Sequence, residues 1–188
     1  MTRTFRQQID EGILDRAAAL FARYGFSQTS VQAVADAVGL SKAGLLHYFP
    51  TKDALREAVQ ARTQALESEV IDQVAGMPLG PARDRLTLET LVDQALARPG
   101  LVAFALSFVA AQSSDALTVD RIDGDAQILR AFGADAGTEP ERLLRIRGAL
   151  AALSVLVLVV HHAGKSTAWR PHVIATCYDA LGYQSSPE

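Results

Sequence analysis

Between Thr29 and Asp53 the chain cannot run as one helix. Gly39, Ser41 and the Pro50-Thr51 pair interrupt it, and the stretches between them have room only for two helices of about two turns each. Thr29-Ser30 supplies a hydroxyl cap, and Val31, Val34, Ala35 and Val38 form the inner face of the first helix. Gly39 ends it, because glycine takes left-handed backbone angles at little cost. Ser41 caps the second helix, Lys42 to about Phe49, whose inward positions are Leu45 and Phe49. Pro50-Thr51 then starts a longer helix with Asp53 in its first turn, where a carboxylate suits the positive end of the helix dipole. Leu55 and Val59 carry that helix toward about Val74.

The rest of the chain reads as helix as well. Upstream, Ile9, Ile13, Ala17, Leu20, Phe21 and Tyr24 recur at three- and four-residue steps as one amphipathic face, with Tyr24 expected in the core and Gly25 as the stop. Gly76-Met77-Pro78-Leu79-Gly80-Pro81 is the clearest linker. Beyond it, helices are expected at about 82–97, 101–113, 117–132, 139–162 and 171–182. The breaks fall at Pro99-Gly100, 133–138 and 164–170. No alternating β-branched stretch calls for a sheet. The expected fold is all-α, with an N-terminal three-helix helix-turn-helix domain over 1–62 and a C-terminal helical domain over 63–188. Hydrophobic residues at 49% and charged residues at 21% of 188 support a packed core and exclude disorder.

Composition narrows the setting. Cys177 is the single cysteine, so no internal disulfide can form, and it is expected as a small buried hydrophobe. The first residues lack the apolar stretch of a signal peptide. The longest apolar run, Gly148 to Val160, falls short of the roughly 18–20 residues a bilayer span needs, so a cytoplasmic protein is expected. Leu101–Ala111 and Leu150–Val160 are apolar on every side, and few other helices are at hand to cover both. The second is therefore expected to face another copy of the chain, with Leu150, Leu153, Val157, His161 and Tyr178 at the contact.

The net charge of −3 hides an uneven division: residues 1–62 carry +2 and residues 63–188 carry −5. A basic surface can thus sit on an acidic chain. Only Val38-Gly39-Leu40-Ser41 separates the apolar registers of the two short helices, which forces a steep crossing and projects the second helix outward. Lys42, Ala43 and Gly44 form its tip; the small pair lets the backbone approach a groove floor, and Lys42 can reach a purine or a phosphate. His47 lies one turn on, beside Tyr48, and each can donate to a phosphate or a base edge. Lys52 and the free N–H groups opening the next helix make a further phosphate site, as do those after Ser30.

The fuller string is more specific than the motif. Ala18-Ala19-Leu20-Phe21, Tyr24-Gly25-Phe26, Thr29-Ser30-Val31, the run Val34 to Lys42, and His47-Tyr48-Phe49-Pro50-Thr51-Lys52-Asp53-Ala54-Leu55 closely resemble the TetR/AcrR family of bacterial transcriptional regulators. The resemblance covers roughly residues 8–60. It implies a homodimeric repressor that sets one recognition helix per subunit in the major groove of a palindromic operator. It further implies base contacts from Lys42, Ala43, Gly44 and His47, beside the Ser41 cap, and phosphate contacts from Ser30, Tyr48 and Lys52 helped by Thr29 and Gln32. Leu46 departs from the family, which usually has an aromatic there; it can pack apolar surface or touch a thymine methyl.

The second domain is less explicit. Leu101, Phe104, Ala105, Phe108 and Gln112 fall on one stripe, suited either to a mostly apolar effector with one polar group or to plain core packing. Phe132 and Trp169 are further pocket candidates. His161-His162 point about 100 degrees apart on a helix, and neither they nor His172 has a cysteine or carboxylate cluster nearby, so no metal or other cofactor is expected. With no glycine-rich phosphate loop, nucleophile elbow or metalloprotease motif, an enzyme is not expected. The function expected is a ligand-responsive DNA-binding regulator. The alternative is a helical protein-interaction module, from which steep salt dependence of DNA binding would distinguish it.

Overall fold

The computed structural model describes residues 2–105, 127–164 and 166–183, and all its regular elements there are helices. In chain order they are α1 (Thr2–Tyr24), α2 (Val31–Val38), α3 (Lys42–Tyr48), α4 (Lys52–Val74) and α5 (Pro81–Ala97). After these come α6, described over 99–105, then α7 (Gln127–Ala131), α8 (Pro140–His162) and α9 (Ser166–Ala180). Most of the expected helices 101–113 and 117–132, Phe108 and Gln112 included, lie outside the described residues.

Two cores organise the chain. The first gathers Ile13, Leu14, Ala17, Ala18 and Phe21 of α1, Val34 and Ala35 of α2, Leu45 of α3, and Leu55, Val59 and Leu66 of α4. The second gathers Val70 and Val74 of α4 with the inner faces of α5, α7, α8 and α9. The stripe Leu55, Val59, Thr63, Leu66, Val70, Val74 repeats at helical spacing, so α4 serves both cores with one face. The changeover falls between Leu66 and Val70, a turn beyond the expected division at residue 62.

The first core also draws on the far side of that division. Leu101 is fully buried in it and Phe104 nearly so, with the Phe104 ring 6.3 Å from that of Phe21. Of the two readings the sequence leaves open for Phe104, an effector pocket or plain core packing, the structure shows it packed in the N-terminal core. The reason is the approach of α6 to α1. The Asp15 carboxylate accepts from the Leu101 N–H at 3.0 Å, satisfying a free donor at the start of α6. A Cβ on Gly100 would collide with the Asp15 carbonyl oxygen, so only glycine permits this contact. Arg98 donates to Glu11 at 2.7 Å, and Arg62 of α4 lies 3.6 Å from the same carboxylate.

Polar ties lock the second core. Asp84 is buried and accepts from Arg142 at 2.6 Å and from the Tyr183 hydroxyl at 2.8 Å, joining α5, α8 and the chain that follows α9. Burial, and then that bond to Asp84, push the Tyr183 hydroxyl above its ordinary pKa. Arg83 donates to the carbonyls of Met77, Arg130 and Ala131, clamping the end of α7. Helix α9 starts at Ser166, inside the expected break and ahead of the expected 171. Pro171 removes one helical hydrogen bond without ending the helix, and the Arg170–Asp93 pair (Nη2 to Oδ2, 2.7 Å) ties this turn to α5.

Helix α8 corrects a second expectation. Leu150, Leu153 and Val157, expected at a subunit contact, point inward and are buried in the chain's own core. The outward stripe is Leu144, Ala151, Val155, Leu158 and Val159, with Val155 61% exposed. Both sets are apolar, so composition could not tell inside from outside; the packing of α5 and α9 did. By length and composition α8 could cross a membrane. Its Leu143, Ile146, Leu150, Leu153, Val157 face packs in the core, as a core helix's would. Among the other expected contact residues, His161 is exposed at the end of α8, and Tyr178 is half-buried and stacked on Tyr183 at 4.8 Å. Cys177 is fully buried, as expected, and burial pushes its thiol up to about 12.

Candidate nucleic-acid interface

The local geometry of α2 and α3 follows from their caps. The Ser30 hydroxyl accepts from the Ala33 N–H, and the Ser41 hydroxyl accepts from the Gly44 N–H, both at 3.0 Å. Each such cap contributes about 1 kcal/mol. Between the helices Gly39 takes φ 71°, and Leu40 N–H returns to Ala35 O at 2.9 Å, the left-handed close expected of glycine there. Leu45 is buried beneath α3 and fixes which side faces out.

On the outer side, Lys42, Ala43 and His47 are exposed. Ala43 and His47 are four residues apart and so share one face, as do Lys42 and Leu46. His47 meets the Tyr48 ring edge-on at 5.9 Å. A Cβ on Gly44 would come 3.2 Å from the Ser41 Oγ, so glycine keeps the cap uncrowded. The α3 tip thus offers one cation, two small residues and an imidazole above an apolar base, a surface able to enter a groove.

Flanking it, Ser30 and Gln32 are exposed at the start of α2, where the Gln32 amide donates to Asp36 at 2.7 Å. Thr29 differs. It is buried, and its hydroxyl donates to Gly25 O at 2.9 Å, so its side chain closes the α1–α2 turn and does not reach the outer face. At the start of α4 the Thr51 hydroxyl accepts from Ala54 N–H, and Lys52 reaches toward Ser27 O at 3.4 Å. Lys52 Nζ also stands 4.2 Å from the centre of the Phe26 ring, and the Arg56 guanidinium 4.5 Å from it. Phe26 and Arg56 escaped the sequence reading because no local pattern links a turn residue to a helix thirty positions on.

Tyr24, expected in the core, is half exposed with the Arg23 guanidinium 5.1 Å over its ring. It is the last residue of α1, and the turn at Gly25 carries it past the packed face. Phe49 is half-buried against the first core. In the second domain Phe132 is buried in the core and Trp169 is exposed. Among the described residues no group of histidine, cysteine and carboxylate side chains is arranged to hold a metal.

A capped two-turn helix set across a second one by a left-handed glycine, its outer side presenting Lys42 and small residues, is a helix-turn-helix. Residues 13–59 match the family model for bacterial regulatory proteins of the tetR family. Over 49 residues it is 43% identical to the HTH-type transcriptional regulator RutR of Escherichia coli (strain K12), a match covering 26% of this chain and 23% of that protein. Over 74 residues it is 35% identical to the HTH-type transcriptional repressor Rv1474c of Mycobacterium tuberculosis, covering 39% of this chain and 38% of that one. The chain thus spans well under half the length of either relative. A TetR-like transcriptional regulator from Rhodococcus sp. RHA1 shares the fold over 98% of this chain and 100% of its own, with a TM-score of 0.52 and 22% identity.

Proposed function

We infer that the chain is a cytoplasmic, ligand-responsive transcriptional repressor that binds a palindromic DNA operator as a homodimer. The observation that carries this reading is the outer face of α3: Lys42, Ala43 and His47 exposed together on a helix whose opposite side, Leu45, is locked in the core. In this reading Lys42, Ala43, Gly44 and His47 meet base edges, with Ser41 holding the tip in shape. Ser30, Gln32, Tyr48 and Lys52 meet phosphates.

Two recognition helices must match half-sites one helical turn, roughly 34–36 Å, apart, so each needs a partner subunit at a set distance. The outer stripe of α8, Leu144, Ala151, Val155, Leu158 and Val159, is the surface assigned to that partner, with His161 and Tyr178 near its edge. A mostly apolar effector in the second domain would act by favouring a head spacing that fits the operator less well. Helices α4 and α6 are the connections available to it, because each contributes to the N-terminal core from outside the helix-turn-helix.

The test is selection of bound sequences from a random duplex library with the full chain, followed by a salt titration on the winner. A palindromic winner whose affinity falls steeply with salt is the expected result; no enrichment would overturn the reading. His47→Ala should cost about 1–3 kcal/mol on the winner and relax preference at particular base pairs. Unchanged preference would remove His47 from the base contacts.

A further inference from the structure

The ring of Phe26 is the meeting point of two cations. It lies half-buried in the α1–α2 turn, held edge-on against Phe21 with ring centres 5.4 Å apart, so its orientation is set by the core beneath. Lys52 Nζ and the Arg56 guanidinium carbon stand 4.2 Å and 4.5 Å from its centre. The two are four residues apart on α4 and so rise from one side of that helix. Attraction to the face of an aromatic ring contributes about 0.5–1 kcal/mol per exposed cation, which offsets the repulsion of holding two like charges together.

Their other partners are weak. Lys52 has the Ser27 carbonyl at 3.4 Å, and Arg56 has Asp53 at 3.2 Å in a pair whose side chains are 40% and 66% exposed. Such a surface pair contributes about 0–1 kcal/mol and gives way readily to a stronger anion. One carboxylate against two cations leaves a positive charge uncompensated. It sits at the first turn of α4, where the Lys52 and Asp53 N–H groups have no helical carbonyl to bind.

We propose that Phe26 is a cation platform holding Lys52 and Arg56 as one unit that grips the DNA backbone, so that Arg56 is a phosphate contact and Phe26 its positioning residue. This rests on the duplex-binding reading above. The guanidinium adds a forked donor that lysine lacks, which suits two oxygens of one phosphodiester. The unit reads no sequence; it sets how firmly and in what register α3 is pressed into the groove.

Fluorescence anisotropy of a labelled mixed-sequence DNA duplex, titrated with the full chain at several salt concentrations, tests this. Arg56→Met and Lys52→Met should each weaken binding and flatten the slope of log affinity against log salt by about 0.9, the signature of one lost phosphate contact. Phe26→Leu should weaken binding about 3- to 10-fold while both cations are present and cause no further loss in the Lys52→Met/Arg56→Met background. Phe26→Tyr keeps the ring and should bind as the parent does, which separates the platform from any loss of packing in the leucine variant. A parental slope for Arg56→Met, or an equal Phe26→Leu loss with the cations removed, overturns the proposal while leaving DNA binding intact. A parent chain that fails to bind the duplex at all overturns both readings together.

Discussion

Glu67 shows how one residue can carry a measurable cost. It sits half-buried on α4 between Leu66 of the first core and Val70 of the second, and burial pushes its carboxyl up to about 7. An unfolded glutamate ionises near 4.5, so between that pH and about 7 folding must take up a proton. Stability is therefore expected to fall as pH rises through this window and to level off above it. Glu67→Gln should raise the midpoint of thermal unfolding at pH 8 and leave it nearly unchanged at pH 5. Equal shifts at both values would show that packing, not ionisation, governs the site. Asp84 is a second residue of this kind, since it is buried and binds both Arg142 and Tyr183. Asp84→Ala leaves the guanidinium without its carboxylate and should cost about 3–5 kcal/mol in denaturant unfolding. A loss under 1 kcal/mol would mean water replaces the carboxylate readily.

At the scale of elements, α6 is the part whose role the structure changed most. Its first turn is fastened to α1 by the Asp15 cap, the Gly100 approach and the Arg98–Glu11 pair, while Leu101 and Phe104 fill the N-terminal core. Burial pushes the Asp15 carboxyl up, opposed by the Leu101 and Gly100 N–H groups that bond it and by the charge of Arg16. Gly100→Ala is expected to force α1 and α6 apart and to cost about 1–3 kcal/mol or more. If α6 is a working link between the domains, the same variant should also alter operator affinity beyond what its lost stability accounts for. Operator affinity equal to the parent's, measured where both are fully folded, would remove α6 from the coupling. The reading of Pro99-Gly100 as a simple break located the start of α6 closely, but a glycine required by a neighbour's backbone looks the same in sequence as one required by a turn.

At the scale of the whole molecule, the proposed dimer rests on the outer stripe of α8. Val155→Glu with Leu158→Glu should convert a dimer to a monomer in sedimentation equilibrium, with little change in thermal unfolding of the monomer itself, because neither side chain fills the chain's own core. The matching change at Leu153, which is buried, should unfold the protein instead. A wild-type chain that sediments as a monomer at working concentrations would overturn the dimer.

The N-terminal helices were legible because their signals are local. Ser30, Gly39, Ser41 and Thr51 each act within four residues of themselves, and the caps and the left-handed turn in the structure are the ones those residue types announce. The exposure of Lys42, Ala43 and His47 follows from the same short-range periodicity once Leu45 is known to face inward. Tertiary structure decided the rest, wherever the deciding partner was distant in the chain. Thr29 turned inward because Leu20 and Gly25 offered carbonyls, and Phe104 joined the first core because α1 came to meet it. In the run 150–160 of α8, apolar on nearly every side, periodicity carries no information about which face is covered, so only the placement of α5 and α9 could choose Leu153 for the inside and Val155 for the surface.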